Sequence, residues 1–173
     1  MGTDLISSRQ EVKSSAMEIT VSFLVAGEKV FWVDGGNSFN PYMITAAAKR
    51  LAINPHSLLR RLFVARAFTV HQLVSMITKH LGPALDKNPD ALGVIYDPLA
   101  LCSNPDVPKT EAGRAVKQIA VEIRRIRKKG HRLIVADLIA NPILLPPLEK
   151  GGWGDLKRGC LDGQDTSHTN NTP

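Results

Sequence analysis

Short apolar runs break directly into polar turns that open helices, and this pattern constrains the fold more than any other feature of the chain. One is Val30-Phe31-Trp32-Val33, followed by Asp34-Gly35-Gly36-Asn37-Ser38-Phe39-Asn40-Pro41. Another is Leu62-Phe63-Val64-Ala65-Arg66-Ala67-Phe68, followed by Thr69-Val70-His71-Gln72-Leu73. An apolar run this short, stopped by a turn, reads as a strand buried on both faces. Parallel strands need long crossovers, and a helix is the usual one. Strand-helix alternation therefore predicts a three-layer α/β fold, a mostly parallel sheet flanked by helices.

The remaining elements fit that alternation. Asp4–Ser7 is a short candidate strand, and Lys13–Val25 has helical spacing, with Ala16, Ile19, Thr20, Phe23 and Leu24 on one face. Asn40 suits a helix cap and Pro41 the first helical position, with Ile44, Ala47, Ala48 and Leu51 as the apolar stripe. Val70, Leu73, Val74, Ile77 and Leu81 recur at helical spacing, and Gly82-Pro83 is expected to stop that helix. Leu92–Tyr96 and Leu133–Ala136 read as strands on either side of a long helix, Thr110–Lys129. The expected organisation is a core domain over residues 1–142, an irregular extension over 143–162 and a disordered tail over 163–173.

The chain has 173 residues, long enough for a real core, and a formal net charge of +6 that suits contact with a polyanion. Its cysteines, Cys102 and Cys160, form neither a metal-ligand spacing nor a disulfide framework. No basic and apolar leader follows Met1, and no apolar run approaches the ~20 residues of a membrane span. The expected location is cytoplasmic, without membrane contact.

In an open α/β sheet, ligands sit at the carboxyl ends of the strands, so the turn after the first strand is where a phosphate loop would lie. Ser7–Ser14 matches the G-x-x-x-x-G-K-[ST] pattern only at Lys13 and Ser14. These would meet the phosphates and hold Mg²⁺. Ser7 and Val12 stand where glycines should be. Those glycines let consecutive N–H groups turn toward a phosphate, a geometry that a β-branched valine resists.

The segments Leu62–Phe68 with His71-Gln72, Val33-Asp34 with Phe39-x-Pro41, and Leu92–Asp97 together resemble the core of RecA/RadA-type recombinases, ATP-driven DNA-pairing proteins. The resemblance runs from about Asp4 to Pro142 and implies a RecA-like, P-loop-type sheet, in which Asp97 at the end of its strand would order the Mg²⁺ shell. It also implies what is missing. The family's water-activating glutamate would follow the Val-Asp strand, where Gly35, Gly36 and Asn37 stand. Its γ-phosphate sensor would stand at Asp137-Leu138. With cradle, base and sensor all altered, the resemblance implies a non-catalytic core, degenerate and truncated, with no cofactor; ATP with Mg²⁺ is the alternative. The family's DNA loops would match Cys102–Lys109 and the segment after Asn141-Pro142. Its strand matching Leu62–Phe68, with the helix that follows, accepts a neighbour's aromatic anchor. This makes Phe63, Ala65, Ala67 and Leu73 docking candidates. Trp153, in a glycine-rich segment, is a further candidate for docking or base stacking.

The DNA-binding candidates are Lys109 and Arg114 together with the densest cationic run, Arg124, Arg125, Arg127, Lys128, Lys129 and Arg132. The competing reading of that run is helix-dipole compensation, with long stems covering apolar surface. Lys49-Arg50 and Arg60-Arg61 are weaker alternatives of the same kind. The expected function is assistance or regulation of DNA recombination or repair, through DNA, a full-length recombinase or both. The alternatives are a protein-interaction regulator that does not bind DNA, and a weak ATP-binding protein or ATPase.

Overall fold

A computed structural model describes residues 9–137 of the chain. Its strands are β1 (Val30–Asp34), β2 (Leu62–Arg66), β3 (Leu92–Tyr96) and β4 (Arg132–Ala136). They form one four-stranded sheet in the order β2-β1-β3-β4, with every pairing parallel. The helices are α1 (Arg9–Val25), α2 (Pro41–Arg50), α3 (Pro55–Leu59), α4 (Val70–Ser75), α5 (Gly82–Asp86) and α6 (Lys109–Lys128). A π-helical segment, Met76–Leu81, joins α4 to α5. The candidate strand Asp4–Ser7 and everything from Leu138 onward lie outside the described residues.

Side chains alternate across the strands and so divide the core in two. Val30, Trp32, Leu92, Val94, Tyr96 and Ile134 point to one face and pack with α1, α2 and α3. Val33, Ile95 and Val135 point to the other and pack with α4, the π segment, α5 and α6. Trp32 is 1% exposed and stacks on Tyr96, with ring centroids 5.7 Å apart. Burying an aromatic or large aliphatic side chain to this extent contributes about 1.5–3 kcal/mol. The result is an α/β fold with a parallel sheet between helical layers, a layout compatible with Rossmann or RecA-like architecture.

Local chemistry sets most element ends. The Asn40 side chain accepts the Tyr42 N–H and Pro41 occupies the first turn of α2. Asn54 and Pro55 repeat the device at α3. Gly27 and Gly130, with φ of 93° and 83°, let the chain leave α1 and α6 through the left-handed region.

Three expectations need correction. α1 begins by Arg9 rather than Lys13, so residues expected to form a turn are helical. Leu51 lies at the carboxyl end of α2, 52% exposed and outside the core stripe. Gly82-Pro83 does not stop the helix that begins at Val70, because the chain continues through the π segment into α5. A proline in regular α-helix clashes with the carbonyl four residues back. The wider π turn immediately before Pro83 relieves that clash, and the helical path survives.

Candidate functional site

Asp34 closes β1 at the carboxyl edge of the sheet and is 0% exposed. Its carboxylate accepts the N–H groups of Ser38 at 3.2 Å and Phe39 at 2.9 Å. Arg66, closing β2, brings its Nε to 3.3 Å from Asp34 Oδ2 and donates through Nη2 to Phe39 O at 3.0 Å. Asp34 is thus the organiser of the β1–α2 turn. A buried carboxylate needs this set of donors, because an unpaired one would be expensive.

The same turn is held against the end of β3. Gly35 N–H donates to Tyr96 O at 2.8 Å. A Cβ at Gly35 would lie 2.6 Å from Asp97 O, and one at Gly36 would lie 2.7 Å from Asp97 Oδ2. Asp97 itself is 4% exposed and has φ of 48°, and Asn37 in the turn has φ of 50°. Asp and Asn are the non-glycine residues that enter this region most readily. The position where the recombinase resemblance calls for a glutamate is therefore closed by Asp97 packing against the glycines.

Lys13 reaches this edge from α1, donating through Nζ to Ser38 O at 2.6 Å. Ser14 lines a groove of about 530 Å³ between α1 and α2, beside Met17, Val21 and Met43. Lys13 and Asp97 thus border one turn, from α1 and from the end of β3, whereas Ser14 lines a separate groove. Residues 9–14 are helical, so no phosphate-cradling loop exists over that stretch. Among the described residues, no group of three or more His, Cys, Asp or Glu is placed to hold a metal ion.

The cationic run lies at the opposite, amino edge. Arg125 forms a two-pronged pair with Glu122, the shortest contact being 2.6 Å. That hydrogen bond, with Glu122's charge, raises the Arg125 pKa further, whereas burial lowers that of Arg127. Lys129 and His131 both hold Asp86, at 2.8 Å each, and the Lys129 hydrogen bond foremost keeps that carboxyl below its ordinary pKa. Arg132 donates to Asp90 O at 2.9 Å and lies 5.5 Å from the Phe23 ring centroid. Lys129 and Arg132 therefore tie the end of α6 and the start of β4 to their surroundings, while Arg125 pairs within α6. Arg124, Lys128, Lys109 and Arg114 are exposed.

The segment matching the first DNA loop is a compact turn, with Asn104 Oδ1 accepting Asp106 N–H at 3.0 Å. Burial raises the Cys102 thiol pKa, which keeps it protonated and slow to react. Of the docking candidates, Ala67 and Leu73 are 0% exposed and belong to the core under α4. Phe63 is 47% exposed and stacks on Phe31, ring centroids 5.1 Å apart, with Ala65 half-buried beside it. Trp153 and the segment matching the second DNA loop lie outside the described residues. The residues missed from sequence are Val64 and Phe68, 40% and 64% exposed. They are exposed because β2 is an edge strand of the described sheet, and strand order has no signal in local periodicity. No protein-family model matches the chain, and no curated protein matches it.

No helix among the described residues is long and apolar enough to cross a membrane.

Proposed function

We propose that this chain is a RecA-like protein that does not turn over nucleotide and assists or regulates DNA recombination or repair by docking on a recombinase. The observation that carries the reading is β2. It is an edge strand of the described sheet, and Phe63, Val64 and Phe68 on and beside it are 47%, 40% and 64% exposed. An edge presents unpaired backbone donors and acceptors that an added strand can complete, with exposed side chains supplying specificity. The closed Gly35-Gly36 turn and the helical residues 9–14 weigh against nucleotide turnover.

The test is capture of the purified recombinase from the same cell by immobilised protein. Capture is expected with the wild type and not with Phe63→Lys/Val64→Lys, since charge on an edge blocks strand addition. Failure of the wild type at micromolar concentrations, or equal capture by the variant, rejects the reading. A weak nucleotide site is the second reading, favoured by the Lys13 ammonium at the carboxyl edge, 2.6 Å from Ser38 O.

A further inference from the structure

We propose that the outward face of α6 binds the phosphate backbone of duplex nucleic acid without reading its sequence. Arg114, Lys117, Arg124 and Lys128 are all exposed and follow one another at helical spacing. At ~3.6 residues per turn they share one strip, opposite the buried Ile119, Ile123 and Ile126. Val121, 58% exposed, lies in the middle of it.

The strip carries a single sign of charge. The acids of α6, Glu111 and Glu122, are turned toward α4 and its own guanidinium, pairing with His71 at 3.0 Å and Arg125 at 2.6 Å. Arg114 makes only a 3.3 Å contact from Nε to Thr110 O. Helix stability does not explain this arrangement, because like charges three or four residues apart destabilise a helix. Nor does the helix dipole, which favours cations in the last turn while Arg114 and Lys117 stand in the first half.

A groove of about 720 Å³ runs beside the strip, where Thr78 and Lys79 of the π segment face Lys117 and Gln118; Glu122, its charge taken up by Arg125, also lines it. Lys79 adds a cation across it, and Gln118 and Thr78 add polar groups suited to a phosphate. From Arg114 to Lys128 the strip is about 21 Å long at ~1.5 Å per residue. That length spans roughly six phosphates of one duplex strand at ~3.4 Å each.

The chemistry selects among polyanions. The strip has no aromatic residue, and single-strand binders rely on base stacking. Its one apolar side chain, Val121, is too little to insert into a bilayer. Backbone contact with a duplex remains. Preferring a nucleic acid as the polyanion rests on the function proposed above, whereas the surface itself does not.

The test is fluorescence anisotropy of a labelled random-sequence duplex titrated with the full chain. Four phosphate contacts give a log–log salt slope of roughly −3.6, or ~150-fold weaker binding at 200 mM than at 50 mM salt. Lys117→Glu/Arg124→Glu/Lys128→Glu is expected to weaken binding about 100-fold at low salt. Lys49→Glu/Arg50→Glu/Arg60→Glu, with the same change of net charge, is expected to change it less than about threefold. The milder Lys117→Gln/Lys128→Gln, checked by circular dichroism, is expected to reduce the slope by about two. Absence of duplex binding at 50 mM salt, or equal loss in both charge-reversed variants, overturns the proposal. So does pelleting with phosphatidylserine vesicles in place of duplex binding. Phe63→Lys/Val64→Lys is expected to bind duplex as the wild type does, so failure of docking and failure of this surface are told apart.

Discussion

Gly35 has a role that its neighbours define. Its N–H continues the ladder to Tyr96 O, and a methyl group on its Cα would fall 2.6 Å from the backbone oxygen of Asp97. Backbone cannot rotate away as a side-chain tip can. Gly35→Ala is therefore expected to destabilise the fold by about 2 kcal/mol, the usual range for overpacking a tight site. The measurement is a urea titration, read as a lower midpoint at unchanged slope. The sequence shows that no base stands at positions 35 and 36. It does not show that Asp97 fills the space, because that contact joins residues from different strands. Asp34 is similar. Its place at a strand end is legible, but its pairing with Arg66 depends on β2 lying beside β1.

Among elements, those with a strong period or a chemical cap were legible. The α6 residues Ile119, Ala120, Ile123 and Ile126 are buried as their spacing requires, and Asn40-Pro41 opens α2. The errors came where tertiary packing outweighed a local signal. Pro83 reads as a stop, yet Gly82 beside it lies against the Glu122–Arg125 pair, where a Cβ would come within 2.5 Å of Arg125 Nη2. Close approach to α6 thus accompanies the continued helix. The ends of these helices are joined by Asp86, which takes Lys129 and His131. Those partners lower its pKa below the unfolded value of about 3.9. A carboxyl with a depressed folded pKa contributes stability above its unfolded pKa and loses it as pH falls through the folded one. The wild type is therefore expected to exceed Asp86→Asn in stability near pH 5, by a margin that shrinks as pH falls below about 4. Urea midpoints from pH 5 downward check it; a margin that grows over that range contradicts the assignment.

For the whole molecule, the sheet separates the features. Its carboxyl edge carries the Asp34 turn, its β2 edge carries the exposed Phe63 and Val64, and α6 carries cations on its outer face. The net charge of +6 is legible in composition, but its concentration on one helix face emerges only when Glu111 and Glu122 are seen to be paired elsewhere. Nucleotide binding is the property on which the two proposed functions divide. A site with a dissociation constant of ~10 µM would, at ~1 mM Mg-ATP, stabilise the native state by about 2.7 kcal/mol. For a chain of this size that corresponds to a rise in Tm of roughly 5–10 °C. With residues 9–14 helical and the Gly35-Gly36 turn packed on Asp97, the expected shift is below about 1 °C. Differential scanning fluorimetry with and without Mg-ATP measures it. A shift of several degrees that Lys13→Ala abolishes would establish the ammonium beside Ser38 O as a phosphate ligand and favour the weak nucleotide site over docking as the protein's function.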